Sequence, residues 1–438
     1  MENPNQEEII SPKLDTKTRA FLIRYLIIDS TRLIAFSISG MFIILYLLDT
    51  LTPTEVGLLF AVNYLILTLV DYPTGVLGDV IGHKKVMLIA YFLHFVSILF
   101  LISSKELTPL LLYSTISALA TSQESGALEA WFDNNYRIMT ELTDPDRKIY
   151  KSFQAKKSIL EYTLSGLSFV IGGIIAEHFS RQFLFSGSLL LVGVVFFLLI
   201  FFMGENLLNQ SENTFKGYLR QFTKGIHFLV SKKGVLFFFI GSTVIWAANN
   251  SLWVNFLLFR IYGGYSGNQD DTTAFLRTIL FGTGVFWQLV ILRYLPKIRN
   301  LKFWIPFTNA LSNTIFFFAI YIYYLVFPPM GVDIFLILGL IVIFQLPSIW
   351  EPLEFVLRNR LNLDLVPDDI RNSVYSLLPS IMNFLGIFMA LIGGTYIKSF
   401  GFASTILLTS IISGIGLILS IFGINWIENL AVSDNSSE

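Results

Sequence analysis

Long apolar runs alternate with short polar links along nearly the whole chain. A helix that crosses the hydrocarbon core of a bilayer needs about 20 apolar residues, and the pattern predicts twelve such helices. We predict these spans at residues 27–49, 54–77, 84–104, 108–131, 154–177, 183–204, 235–260, 274–294, 302–327, 333–357, 373–398 and 402–425. The fold class is therefore an all-α polytopic membrane protein.

The longest polar link follows the sixth predicted span and divides the chain into two halves. It covers residues 205–234 and carries two glutamates and five basic residues. We predict an N-terminal six-helix bundle at residues 1–204, a cytoplasmic interdomain link at 205–234, and a C-terminal six-helix bundle with a short cytoplasmic tail at 235–438. Two bundles of six spans require both termini to lie on the same side of the membrane.

The distribution of basic residues predicts which side that is. Lys and Arg are concentrated in the N-terminal segment and in the even-numbered links, whereas the odd-numbered links carry only Lys105, Arg181 and Lys398, with Arg260 and Arg277 at helix ends. Because basic residues accumulate in cytoplasmic loops, we expect both termini to be cytoplasmic. The first twenty residues are polar and contain no apolar core, so we expect no cleavable signal peptide.

Composition supports a membrane protein and narrows its chemistry. Hydrophobic residues make up 54% of the chain and charged residues only 14%, with a mean hydropathy of +0.66, against about 25% charged residues in soluble domains. The chain has no cysteine, and its four histidines are dispersed at positions 83, 94, 178 and 227. We therefore expect no metal, no cofactor and no nucleic-acid partner.

The spans also lack the chemistry of an intramembrane enzyme or an ATP-driven pump. An enzyme needs a buried catalytic set, and the sequence contains neither paired aspartates nor a histidine cluster within the spans. A pump needs a phosphate-binding loop with the pattern G-x-x-x-x-G-K-[ST], which the chain lacks. We therefore predict that the protein is not an enzyme.

A glycine-rich stretch between predicted spans 2 and 3 is expected to form a tight turn at one membrane face. It covers residues 71–85 and contains Pro73, which is unfavourable inside a helix. The spacing of its glycine, acidic and basic residues is set by Gly75, Gly78, Asp79, Gly82 and Lys84. This stretch resembles the loop between helices 2 and 3 of the major facilitator superfamily of secondary transporters, G-x-L-A-D-R-x-G-R-K, and departs from it at Val80 and His83.

A second stretch carries the same resemblance. Asn362, Pro367, Arg371, Ser376 and Leu377 have the spacing of a segment that many bacterial and archaeal members of the superfamily carry between helices 10 and 11. With the residues that close predicted span 4, the resemblance covers nearly the whole chain. The resemblance implies two six-helix bundles with a central cavity between them, lined by helices 1, 4, 7 and 10. The cavity would open to one side of the membrane at a time.

The resemblance also implies a conformational latch. The latch residues are Gly75, Gly78, Asp79, Gly82, Lys84 and Arg371. Asp79 is expected near the inner end of span 11, where the first amides of that helix are free donors at its positive end. Two other signatures of the superfamily are incomplete, because Ala120 replaces an arginine of proton-coupled members and the antiporter glycines Gly172 and Gly173 lack their proline.

Three ionisable residues in the first half are candidates for coupling. Asp29 and Arg32 lie at the cytoplasmic edge of span 1 and can pair through their i, i+3 spacing; they form either an edge pair or a coupling gate. Glu124 lies roughly 22 Å into a ~30 Å core. It is either a cavity-facing carboxylate, favoured in its protonated form by lost hydration, or a structural partner of Gln154 or a neighbouring helix.

Predicted span 7 carries the candidate substrate-binding face. Trp246, Asn249, Asn250 and Trp253 share one face of an α-helix, near the midplane where transporter sites lie. Gln345 in span 10 lies at a similar depth. Two interpretations are open. Either these side chains bind an organic solute, or they only pack and form hydrogen bonds between helices.

Together these features predict a secondary active transporter. It would move a small organic solute by alternating access across the cell membrane, as a monomer, with protons as a possible partner and efflux as the favoured direction. The alternatives are a uniporter or uptake symporter of a sugar-like or anionic solute, and a membrane channel or scaffold. Further pairs expected to be structural are Lys157 with Glu161, and Glu351 and Glu354 with Arg358.

Overall fold

All regular elements that the structure describes are helices. The computed structural model describes residues 14–145, 147–204, 215–294, 298, 300–366 and 371–427. Within these ranges it gives only the backbone of residues 72–80, 155, 215–222, 292–294, 363–364, 371–373 and 375–376.

Eight helices form the first part of the chain. They are α1 (Thr16–Gly40), α2 (Ile43–Leu48), α3 (Pro53–Ile81), α4 (His83–Ser103), α5 (Leu107–Glu124), α6 (Ala127–Met139), α7 (Lys148–His178) and α8 (Arg181–Phe202). The core of this part is aromatic and apolar, and the stacked rings of Tyr25 and Phe132 lie at its centre. Helix α1 packs against α7 and α8, and α4 packs against α5 and α8.

The second part begins with the link helix and continues to the C-terminus. Its helices are α9 (Phe215–Ser231), α10 (Lys233–Ala247), α11 (Leu258–Tyr265), α12 (Asp270–Tyr294), α13 (Leu301–Asn309), α14 (Ile315–Val326), α15 (Ile334–Leu365) and α16 (Arg371–Asn425). Two π-helical segments, Ala248–Leu257 and Ala310–Thr314, join α10 to α11 and α13 to α14.

Ten helices in the described residues are long and apolar enough to cross a membrane. The count differs from twelve at two places. Predicted span 4 is broken after Glu124, where Ser125 leaves the helical region and Gly126 is left-handed. Predicted spans 11 and 12 form one continuous segment, Leu377–Asn425, interrupted by Gly401 with φ 84°. Twelve spans, their division into two bundles and the cytoplasmic termini stay predictions.

The turn expected over residues 71–85 is much shorter than predicted. Helix α3 continues to Ile81 and α4 begins at His83, so that only Gly82 leaves the helix, with φ 93°. The prediction of a loop through residue 81 was wrong. Pro73 lies inside this helix because tertiary context can override the unfavourable effect of a proline.

Two helix pairs join the first part of the chain to the second. Helix α3 packs along α16, and α7 packs along α12. Glycines allow the close approach: a Cβ at Gly57 would lie 2.6 Å from the carbonyl oxygen of Ala390, and one at Gly173 would clash with Ala274. We use "outer end" for the end of the molecule with the α2–α3 and α4–α5 turns, following the predicted orientation, and "inner end" for the opposite one.

Candidate functional site

Arg32 is the centre of a charged cluster inside the first part of the chain. Its guanidinium contacts three carboxylates: Asp29 at 2.8 Å, Glu124 at 3.1 Å and Glu129 at 3.4 Å. The predicted pairing of Asp29 with Arg32 is confirmed. Asp29 is only 2% exposed and the Arg32 side chain is 23% exposed. Whether the two form an edge pair or a coupling gate stays a prediction.

Glu124 accepts hydrogen bonds from three side chains. Besides Arg32, the hydroxyl of Tyr91 donates to Oε1 at 3.0 Å and Nε2 of His94 lies 2.9 Å from Oε2. The expected partner Gln154 instead donates to the hydroxyl of Tyr150. Glu124 is also the last residue of α5, directly before the break in predicted span 4. It is therefore a fixed acceptor among donors from α1 and α4.

Lys157 extends the cluster toward α7. Its Nζ lies 3.1 Å from Asp29 and 2.9 Å from Glu161, which confirms the predicted pairing with Glu161. We refer to Asp29, Arg32, His94, Glu124, Glu129, Lys157 and Glu161 as the charge network. It holds four carboxylates against two permanent cations, so its formal charge is −2 when His94 is neutral.

A cavity of about 670 Å³ lies in the middle of the second part of the chain. Its wall is formed by α12, α15 and the π-helical segment Ala248–Leu257, with Tyr162 of α7 contributed by the first part. Aromatic side chains and amides line most of it, and Tyr162 accepts a hydrogen bond from Gln288 across it at 3.1 Å. The volume is within the range of small-molecule sites.

The structure brings three of the five predicted substrate-binding residues to this cavity. Asn249, Asn250 and Trp253 line it, whereas Trp246 packs on the opposite side against the cluster around Tyr64. The single shared face was predicted from about 3.6 residues per turn. Because a π-helix holds more residues per turn than an α-helix, the π-helical backbone from Ala248 onward rotates the later residues away from Trp246.

Gln345 is not part of the cavity wall. Its Oε1 accepts a hydrogen bond from the indole of Trp287 at 2.9 Å, and its Nε2 donates to the carbonyl of Ile341. The contact with Trp287 joins α15 to α12, and the contact with Ile341 lies within α15. Its role in substrate binding stays a prediction.

Two charged residues on the wall were missed as site residues. Arg277 was placed at a helix end and Glu351 was expected to pair with Arg358, but Arg358 contacts Glu354 instead, at 3.5 Å. The signal was present in α12, where Arg277, Phe281 and Gln288 recur at helical spacing and form one face. A helix face inside a membrane span that combines a charged, an aromatic and an amide side chain indicates a cavity wall.

The outer end is closed by an ion-pair cluster that joins the two parts of the chain. Arg181 at the start of α8 contacts Asp270 of α12 and Asp49 after α2, each at 2.8 Å. The backbone N–H of Asp270 donates to Glu177 of α7 at 2.7 Å. We refer to these four residues as the outer clamp. Gly173 of α7 lies beside the outer clamp, in contact with the backbone of Asp270.

Most of the predicted latch lies outside the described side chains. The structure gives only helical backbone for Gly75, Gly78 and Asp79, and likewise for Arg371. Gly82 forms the turn before α4, and Lys84 donates to the carbonyl of Ile200 at the end of α8 at 2.9 Å. The latch stays a prediction.

Comparisons with known proteins give a likeness in fold. No family model and no curated protein matches the chain. A mutant of the nucleoside transporter NupG aligns over 93% of this chain and 100% of its own, at 13% identity and a TM-score of 0.75. A D-xylose-proton symporter aligns over 94% and 97%, at 12% identity and a TM-score of 0.66.

A third solved structure has the same likeness. A bacterial homolog of the human lysosomal transporter Spinster, in an inward-facing and unoccupied conformation, aligns over 94% of this chain and 98% of its own, at 11% identity and a TM-score of 0.68. All three are transporters and none is an enzyme. With the ten apolar helices, the likeness identifies an integral, multi-pass membrane protein. The resemblance seen in the sequence motifs is thus confirmed at the level of the fold, which this chain shares with these three transporters over nearly its whole length.

Proposed function

We propose that the protein is a secondary active transporter that carries a small organic solute by alternating access, with the cavity bounded by α12, α15 and residues 248–257 as its binding site. The observation that carries the proposal is this cavity of about 670 Å³, lined by Asn249, Asn250 and Trp253, in a fold that solved transporters share. A channel needs a continuous path, whereas a carrier closes one side of its site at a time. The described contacts at the outer end fit the carrier.

The contacts between the two parts of the chain fit a rocking motion. Glycine at positions 57 and 173 lets α3 and α7 lie directly on α16 and α12. Such smooth, small-residue contacts can separate and close again without rearranging long side chains. The twelve predicted spans, in two six-helix bundles, supply the rigid bodies that this motion requires.

We propose the charge network as the coupling site, with protons as the coupling ion. Glu124 and His94 form a contact within the network that can gain or lose a proton, and Arg32 links it to Asp29. Glu129 and Glu161 are half-exposed and give the network access to water. Proton movement would then change the charge of the network as the two bundles exchange position.

Counterflow in proteoliposomes tests the transport proposal. Vesicles are loaded with one unlabelled solute class, and uptake of the labelled form is followed. Nucleosides, peptides and xylose, the solutes named for structural neighbours, form the first panel, together with amino acids. A carrier accumulates label transiently above equilibrium for at least one class, with a direction set by the imposed proton gradient.

A channel gives equilibration without this overshoot, and a scaffold gives no flux above protein-free vesicles. Either result across the whole panel would contradict the proposal.

A further inference from the structure

Two charged side chains on the cavity wall have no ion-pair partner among the described residues. Arg277 lies over the rings of Phe169 and Phe281, with its guanidinium carbon 5.7 and 5.8 Å from their centres, and its buried Nε makes no hydrogen bond. Glu351 on α15 is exposed within the cavity, while the neighbouring Glu354 takes the contact with Arg358.

The charges of the cavity differ from those of the charge network. In the network, Arg32 and Lys157 each contact at least two carboxylates. Arg277 on α12 and Glu351 on α15 both line the cavity, and no ion pair between them occurs among the described residues. An ionisable side chain inside a membrane span without a direct partner is unfavourable and marks a functional site. The cavity therefore presents one positive and one negative group to whatever enters.

We propose that the cavity binds a zwitterionic solute, with its carboxylate at Arg277 and its amino group at Glu351. This inference rests on the proposed function and names the substrate class of the same site. The apolar body of the solute packs on the rings of Phe281, Phe344 and Trp253, which line the same cavity. A volume of about 670 Å³ accommodates a single amino acid or a short peptide.

Other solute classes fit the charges less well. A solute that carries only an anion leaves Glu351 as a repulsive group, and one that carries only a cation meets Arg277. A neutral sugar-like solute displaces water from both charged groups without replacing it by a counter-charge, which is unfavourable in a low-dielectric site. A zwitterion is the one of these solute classes that offers a counter-charge to both Arg277 and Glu351.

The polar contacts around the two charges support this orientation. The planar fork of an arginine matches a carboxylate with two parallel hydrogen bonds, and the buried Nε of Arg277 has no hydrogen-bond partner among the described residues. The hydroxyl of Tyr162 accepts from Gln288, so its own hydrogen is available to donate. Donors thus surround the anionic end of the solute.

The test uses four probes that share one aromatic ring. They are phenylalanine and alanyl-phenylalanine, which are zwitterions, N-acetylphenylalanine, which keeps only the anion, and phenylalanine amide, which keeps only the cation. Binding to the purified full-length protein is measured by thermal shift, and transport by counterflow. We expect the zwitterions to bind and exchange, and each single-charge probe to bind roughly 10- to 100-fold more weakly.

Two variants test which charged group of the solute each side chain binds. Arg277→Gln should weaken phenylalanine binding roughly 10- to 100-fold and abolish the preference for phenylalanine over phenylalanine amide. Glu351→Gln should abolish the preference over N-acetylphenylalanine. The conservative variants Arg277→Lys and Glu351→Asp keep the charge and should restore the preferences. Arg260→Gln is the control, because Arg260 lies over Phe402 outside the cavity wall.

The outcomes separate this inference from the proposed function. Counterflow of a neutral or singly charged solute in place of the zwitterions, or preferences that survive both glutamine variants, would overturn the inference and leave transport standing. Zwitterion binding that depends on Arg277 and Glu351 but gives no counterflow would support the site and contradict the carrier. Variants are compared only after their solute-free unfolding midpoints agree with that of the unmodified protein.

Discussion

At the scale of single residues, Glu124 shows how the environment of a group decides its role. Depth alone suggested a dehydrated carboxylate without a counter-charge, whereas the fold brings three donors to it from α1 and α4. An ionised carboxylate satisfies all three donors. Proton binding at Glu124 would remove the charge that attracts Arg32 at 3.1 Å, so we expect protonation to loosen the contact between α5 and α1.

The variant Glu124→Gln tests this link. It keeps the shape of the side chain but cannot titrate, so we expect equal-concentration solute exchange to continue while accumulation driven by a proton gradient falls at least tenfold. Both are measured in the same proteoliposomes. Asp133→Asn is the control, because it removes a carboxylate that pairs with Arg147 outside the charge network. Unchanged gradient-driven accumulation in Glu124→Gln would make the residue purely structural.

Asp144 gives a stability prediction with a defined pH dependence. This buried carboxylate in the α6–α7 link accepts hydrogen bonds from the hydroxyl of Tyr136 and from the first amides of α7, at Ile149 and Tyr150. Burial raises its pKa, but these hydrogen bonds outweigh burial and leave the pKa below its ordinary value. We expect Asp144→Asn to destabilise the protein by about 1 kcal/mol near neutral pH.

The sign of the pH effect follows from the lowered pKa. A carboxylate whose folded pKa lies below its unfolded value of about 3.9 stabilises the fold above that value, and this contribution is lost as the pH falls through the folded pKa. The difference in unfolding midpoint between the unmodified protein and Asp144→Asn should therefore shrink below about pH 4. A constant difference, or one matched by Asp133→Asn in the exposed pair with Arg147, would contradict this reading.

At the scale of elements, we expect the outer clamp to hold the two parts of the chain together at the outer end. Arg181→Gln removes the guanidinium that holds Asp49 and Asp270, and such partly exposed contacts are worth about 1 kcal/mol. We expect the outward-open population to rise roughly fivefold. Since the chain has no cysteine, spin labels can be introduced at chosen positions and their distances measured by double electron-electron resonance.

Two label pairs report the two ends. Lys105→Cys with Met330→Cys lies at the outer end, and Leu142→Cys with Asn359→Cys lies at the inner end, all at exposed positions. In Arg181→Gln the outer distances should lengthen and the inner ones shorten. Arg147→Gln, which breaks an ion pair within the first part of the chain, should leave both distributions unchanged. If the two variants behave alike, the clamp does not control access.

Helix positions were largely predictable from the sequence, while their internal breaks were not. Apolar runs placed α4, α8 and α12 within a few residues, because lipid requires a continuous apolar stretch. The break after Glu124 and the π-helix from Ala248 depend on packing against other helices, so an α-helical period alone could not predict them. For the same reason, Asn249 and Asn250 were placed correctly but Trp246 was not.

At the scale of the whole molecule, half of the predicted link belongs to the second part of the chain. Helix α9 packs against α16, and Phe228 and Leu229 are buried beside Val374 and Leu377. Sequence analysis predicted residues 205–234 as a polar link between the two halves of the chain, and a polar surface link should tolerate insertion. The buried face of α9 restricts that tolerance to the residues before Phe215.

Insertions on either side of that boundary test the division. Six polar residues inserted after Asn213 should leave solute exchange within about twofold of the unmodified rate, because longer surface links cost little free energy. The same insertion after Leu229 would displace the apolar face of α9 and should lower expression and the unfolding midpoint. Equal tolerance at both positions would show that the docking of α9 is dispensable. Equal loss at both would weaken the proposal of two rigid bundles.

The docking of α9 also limits how far the two parts of the chain can separate. With α9 fixed to the second part of the chain and α8 belonging to the first, only residues 205–214 join the two. The eleven residue steps from Gly204 to Phe215 reach at most roughly 40 Å when fully extended. This tether length is an upper bound on how far Gly204 and Phe215 can separate in any state of the transport cycle. Under the proposed function, deleting part of residues 205–214 would limit how far the two parts of the chain separate at the inner end. The binding cavity and the outer clamp would be unaltered.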